Sequence, residues 1–173
     1  MSFFATHLAG FGVSPTSVLI DRTLGTNIGN CTAGAGLAAA FDGDAAQAVA
    51  ASARSNGLNP GWIGKYWAGV ARRCSRVTVI SPNVQNFNGG NASGAAGTIK
   101  IYGKVNGQAT TSTDGVLLYT AGFTDGAIGA QTTIDITTGI TDQASESVFI
   151  RIDFGANTGY DVNVAELIMY EWI

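Results

Sequence analysis

The stretch VFIRIDF at residues 148–154 decides the fold. Val148, Ile150, Ile152 and Phe154 fall on one parity, with Arg151 and Asp153 on the other. A period of two gives a ribbon with one face to bury and one to hydrate, as a half-buried antiparallel strand requires. The same alternation recurs upstream. Ile99, Ile101 and Val105 alternate with Lys100, Tyr102 and Lys104, and Val77 and Val79 share a face opposite Arg76 and Thr78. Ile134 and Ile136 alternate with Thr133, Asp135 and Thr137, and Val116 with Leu118 makes a shorter run. Near the C-terminus the phase changes: Val162 and Val164 lie on one parity, Leu167 and Met169 on the other. That change predicts a bulge near Ala165, or burial on both faces. Roughly eight such strands with turns between them predict an all-β protein, an antiparallel jelly-roll β-sandwich.

The bulk composition agrees. Charged residues make up 12% of the 173, about half the usual ~25%, while Gly reaches 24. A helical bundle needs Glu, Lys and Arg on its wet faces, so this balance favours short strands and many turns. NFNGGNASGAAG at 86–97 predicts a long surface loop, and Asn106 with Gly107 a tight hairpin turn. One short helix is predicted over the Ala-rich segment Asp44 to Ser55, with Asp44 and Gln47 as a capping box and Gly57 as its stop. Residues 1–35 have weak periodicity and read as an N-terminal arm, in which only 17–20 resembles a strand; the sandwich occupies 36–173. Four large apolar residues in the arm, Phe3, Phe4, Leu8 and Phe11, suit docking onto a larger assembly better than disorder.

Several function classes recede. The net charge is −3 and the pI about 4.9, so nucleic-acid binding has little electrostatic support; Arg72, Arg73 and Arg76 read as a solvated face. No apolar run reaches 18 residues, so membrane insertion is not expected. Met1 to Val13 carries no Lys or Arg and lacks the charged start of a secretory signal, so the chain reads as made and folded inside a cell. In a reducing compartment Cys31 and Cys74 are expected as free buried thiols. The one histidine, His7, has no matched nucleophile. Asp153 and Asp161 read as strand-end or turn carboxylates rather than a glycosidase pair, and no phosphate loop, CxxC pair or HExxH occurs. The chain is therefore not expected to be an enzyme.

Four pieces in order resemble the galactose-binding-like family, also called discoidin or coagulation-factor type C. Residues 40–44, AFDGD, are similar to its A-x-DGD/N motif. GWIG at 61–64 and SRVTVI at 75–80 resemble the two strands that follow it. VFIRI at 148–152, then VAELIMYE at 164–171, resemble its closing pair of strands. The resemblance covers about Gly36 to Ile173. It departs at Gln47, which stands where the family often has Thr, and the family's terminal disulfide is missing.

The resemblance implies a jelly roll whose loops at one end bind carbohydrate or lipid headgroups, with a structural Ca²⁺ as cofactor. Asp42, Asp44 and Glu166 match the implied metal ligands; the competing reading makes Asp44 a helix cap and Asp42 a turn residue. Sugar recognition needs an aromatic platform beside hydrogen-bonding groups on fixed loops. The carbohydrate-binding candidates are Arg54 and Asn56, then Asn86, Phe87 and Asn88, then Asn157 and Tyr160, on three loops expected at one end. The competing reading has the Asn residues serving turns and Phe87 plugging the sandwich. Gly/Ala/Thr-rich relatives of this kind without a leader resemble components of phage or phage-derived particles. The implied role is a virion-type surface protein, a spike, fibre or decoration subunit that contacts host glycans. Residues 1–35 would attach it to other particle proteins or to copies of itself, after assembly in the bacterial cytoplasm. A purely structural capsid or tail component without ligand is the alternative.

Overall fold

The computed structural model describes residues 16–90, 92–157 and 159–173. Along the chain run β1 (Ser17–Leu19), β2 (Thr26–Gly29), β3 (Ala33–Gly34), β4 (Ala53–Arg54), β5 (Gly61–Tyr66), β6 (Arg72–Ile80) and β7 (Ala96–Lys104). Then follow β8 (Val116–Thr124), β9 (Thr133–Ile136), β10 (Ala144–Ser145), β11 (Ser147–Asp153), β12 (Asn163–Val164) and β13 (Glu166–Trp172). One sheet has the order β1-β13-β6-β10, with β9 also paired to β6. The other has the order β2-β5-β11-β7-β8, and a small third sheet joins β12-β4-β3. The pairings are antiparallel. The architecture is an antiparallel jelly-roll β-sandwich.

The alternation that predicts the strands also places the core. Val148, Ile150 and Ile152 of β11 meet Val77 and Val79 of β6, Ile99 and Ile101 of β7, and Leu167 and Met169 of β13 in one buried cluster. Each such side chain contributes about 1.5–3 kcal/mol on full burial. The opposite parity of β11 does not simply face water. Phe149 joins Trp62, Tyr102, Ile28 and Ala109 in a second cluster on the other side of that sheet. The phase change at Ala165 has a structural cause: β12 pairs with β4 of the small sheet, whereas β13 pairs with β6. The chain changes partner there, so Val162, Val164, Leu167 and Met169 are all buried.

The three arginines of the β6 region are individually neutralised. Arg72 pairs with Glu171 and Arg73 with Asp142. Arg76 Nε and Nη2 donate to both oxygens of Asp135 at 3.0 and 2.8 Å, and Thr78 Oγ1 donates to Oδ1 at 2.9 Å. The Arg76 and Thr78 hydrogen bonds hold the Asp135 carboxyl below its ordinary value of 3.8 against a smaller desolvation effect. A depressed carboxylate stabilises the fold above its unfolded pKa and loses that effect as pH falls through its folded value. Asp135→Asn is therefore expected to flatten the acid limb of a Tm-against-pH curve below pH 3.8, while costing ~0.5 kcal/mol at neutral pH because the pair is partly exposed. An unchanged acid limb would remove Asp135 from the account.

Other expectations need correction. Among the described residues no α-helix forms over 44–55; short 3-10 turns occur at Leu37–Phe41 and Val49–Ala51. The capping box fails because Gln47 turns its side chain inward, its amide donating to Ala39 O and Asp42 Oδ2. Val105 lies past the end of β7 and Val116 opens β8, and both are exposed. Gly107 accordingly begins a connection of several residues, anchored by its N–H on Glu146 Oε2, rather than a two-residue hairpin. From Ser17 onward the expected arm is part of the sandwich: β1 pairs with β13 and β2 with β5. Three- and four-residue strands between Gly and Asn leave little periodicity to read. Phe3, Phe4, His7, Leu8 and Phe11 lie outside the described residues. Cys31 and Cys74 are free and buried, and desolvation pushes both thiols up to about 12.

Candidate functional site

The three candidate loops are linked to one another by hydrogen bonds and ring contacts, and they divide into exposed and buried parts. The 54–60 and 155–161 loops meet through Asp161. Its Oδ2 accepts Arg54 Nη2 at 2.6 Å, and its Oδ1 accepts the Gly57 N–H. Arg54 Nε also donates to Asn163 Oδ1 at 3.2 Å. Asn59 closes the other side: its Nδ2 donates to the Gly155 and Asn157 carbonyls, and its Oδ1 accepts the Phe154 N–H. Asn157 Nδ2 donates to Phe154 O at 3.0 Å. Asn56, at φ 52, and Gly57, at φ 78, turn the first loop through left-handed backbone.

Asn56 and Asn157 are exposed, and Arg54 and Tyr160 are half-buried. Tyr160 stands edge-on to Phe154 at 5.6 Å, which fixes its ring. The result is an aromatic ring, a guanidinium and two amides on cross-braced loops.

The third candidate loop is underneath. Phe87 is fully buried, and its ring packs T-shaped on Phe123 at 5.9 Å. Phe123 continues to Phe154 and so to Tyr160. Asn86 and Asn88 are fully buried as well. Asn86 holds Ala92 O, Gly126 O and the Gly90 N–H, and Asn88 Nδ2 donates to Ala92 O. These three side chains lie buried beneath the exposed loop residues. A polar glycine-rich segment cannot bury itself, but here its backbone is satisfied from within. The buried carboxylate of Asp125 accepts from Phe87 N, Asn88 N, Gly126 N and Thr132 Oγ1. Asp125, Asn59 and the bridging role of Asp161 have no signature in the sequence. Each is a lone polar residue that joins segments tens of positions apart.

The residues matching the implied calcium ligands lie elsewhere: Asp42 and Asp44 follow the 3-10 turn Leu37–Phe41, and Glu166 opens β13. Asp42 Oδ1 accepts Asp44 N, Asp42 Oδ2 accepts Gln47 Nε2 at 2.5 Å, and Asp44 Oδ1 accepts Ala46 N. Glu166 is buried and its Oε2 accepts the Gly43 N–H at 2.9 Å. Desolvation raises the Glu166 pKa above its ordinary value. A calcium site needs six to eight oxygens converging on one point. Among the described residues no group of three or more His, Cys, Asp or Glu side chains does so. Hydrogen-bond donors face Asp42 and Asp44, and the Arg22 guanidinium faces Glu166, so the set does not fit the ion.

No protein-family model matches the chain. No curated protein matches it either. Solved structures do. The family 32 carbohydrate-binding module of NanJ from C. perfringens, in complex with galactose, aligns at TM-score 0.59 and 20% identity, over 90% of this chain and all of that one. A fucolectin from striped bass (Morone saxatilis) serum aligns at TM-score 0.60 and 15% identity, over 92% of this chain and 49% of that one. A fucose-binding module from Streptococcus pneumoniae aligns at 0.54 and 15%, over 90% and 100%. At these identities the shared property is the fold, the galactose-binding-like sandwich.

Proposed function

We propose that this chain is a non-catalytic carbohydrate-binding module whose ligand sits on the 54–60 and 155–161 loops. The observation that carries this reading is the convergence there of Arg54, Asn56, Asn157 and Tyr160 on a fold shared with galactose- and fucose-binding modules. A pyranose offers C–H groups to an aromatic face and hydroxyls to planar donors. Arg54 has five N–H donors, and the contacts above engage only its Nε and Nη2 groups. Exposed Asn56 and Asn157 each supply a donor and an acceptor. The cross-bracing holds the loops before a sugar arrives, which reduces the ordering cost of binding.

The finer reading places the module on a virion-type particle, as a spike, fibre or decoration subunit that meets host glycans. Its support is compositional: low charge, high Gly, and the apolar Phe3, Phe4, Leu8 and Phe11 ahead of the sandwich. Micrographs of the native complex carrying the chain test that placement. The binding itself is tested on a glycan array, followed by calorimetry with the best ligand. Tyr160→Ala and Asn157→Ala are expected each to weaken binding about tenfold, or ~1.4 kcal/mol, with the circular dichroism spectrum unchanged. An array with no bound galactosyl, fucosyl or host-polysaccharide ligand would overturn the reading and leave a purely structural role.

A further inference from the structure

We propose that the Arg22 guanidinium takes the place of a bound cation at the Asp42–Asp44 turn, so that the chain itself locks this turn to β13 without metal. The geometry begins at Gly43. A Cβ added there would lie 1.8 Å from Arg22 Nη1 and 2.7 Å from its Cζ, so the guanidinium rests directly on the glycine. Gly43, at φ 90, holds the tip of the turn between Asp42 and Asp44. From this perch Nη1 stands 3.7 Å from Glu166 Oε1, while Glu166 Oε2 takes the Gly43 N–H. One buried carboxylate on β13 thus reaches both the turn and the cation that covers it.

Arg22 is itself held in place. Its carbonyl accepts the buried Lys65 ammonium at 2.6 Å, and Lys65 also sits 4.3 Å over the Phe41 ring. On the other side Asp21 Oδ1 accepts both N–H and Oγ1 of Thr23, closing a tight local turn around Arg22. A divalent ion between Asp42, Asp44 and Glu166 would have to displace the guanidinium and the Gln47 amide donor. Gln47 Oε1 is buried without a partner, so a rotated amide would offer it as a ligand. A cavity of about 240 Å³ reaches Arg22, Gly43, Lys65 and Glu166 and would admit an ion once the guanidinium is gone.

The test is calorimetric, on the full chain, in excess CaCl₂ and in excess EDTA. The native chain is expected to melt at the same temperature in both. Arg22→Met keeps the aliphatic stem and removes the charge, leaving Glu166 buried and unpaired. It is expected to lose about 3–6 °C in EDTA. In CaCl₂ it should recover, by about 5–10 °C where the ion reaches 100 times its Kd. Arg22→Lys keeps a cation and should remain indifferent to calcium. A native chain that responds to calcium, or an Arg22→Met variant that does not, would overturn the proposal.

Discussion

Phe87→Ala is expected to cost about 3–5 kcal/mol of stability and to lower Tm by about 10 °C or more, measured by denaturant titration and calorimetry. The ring is fully buried and stands edge-on to Phe123, the first contact in a run through Phe154 to Tyr160. Removing it leaves a void that no neighbour can close, because its backbone is pinned from both sides. The Phe87 N–H is tied to Asp125 Oδ1, and its carbonyl accepts the Asn163 N–H at 2.9 Å. The loss of packing should pass along the aromatic run, so that Phe87→Ala also weakens any ligand held by Tyr160. Tyr160→Ala should weaken the ligand while leaving Tm close to native. A Phe87→Ala chain within about 1 kcal/mol of native would mean that this end of the sandwich is not packed as described.

The contrast between Phe87 and Tyr160 shows where the sequence stops being legible. Period-two alternation reports which face of a strand is dry, and it correctly marks Val77, Val79, Ile99, Ile101, Ile150 and Ile152 as core. It does not report what lies beyond the sheet. Phe149 falls on the wet parity, yet it is buried by Trp62 at 5.1 Å and by Tyr102 stacked at 5.3 Å. Loops are harder still. NFNGGNASGAAG reads as solvent-facing because its side chains offer little to bury, but Asp125, nearly forty residues away, satisfies its backbone. Asn86 and Asn88 are then buried with their amides bonded to loop backbone. The surroundings of Asp42, Asp44 and Glu166 were hidden for a related reason: the guanidinium that rests on Gly43 and faces Glu166 comes from Arg22, in a segment without a readable motif. Of the candidate site, Arg54, Asn56, Asn157 and Tyr160 were visible because their residue types match the chemistry. Their bracing by Asn59 and Asp161 was visible only in three dimensions.

Gly64→Ala should be the most damaging single methyl in the described chain. Gly64 lies within β5, paired to Ile28 of β2 on one side and to Phe149 of β11 on the other. A Cβ there would lie 2.2 Å from the Val148 carbonyl oxygen and 2.4 Å from Phe149 Cα and Cβ. The obstacle is mostly backbone of the neighbouring strand, so no rotamer change relieves it; β5 and β11 must separate. Separation breaks a six-residue register from Ser147↔Tyr66 to Ile152↔Gly61 and lifts Phe149 from between Trp62 and Tyr102. A cost of at least about 3 kcal/mol follows, at the upper end for overpacking and enough to leave a marginal domain largely unfolded. Gly159→Ala supplies the control, since a Cβ there meets nothing within 4 Å. Expression and Tm of the two variants separate a steric cause from a general intolerance of alanine. If Gly64→Ala folds with a Tm within a few degrees of Gly159→Ala, the close approach of β5 to β11 is wrong. The register of β5 against β11 would then need to be redrawn.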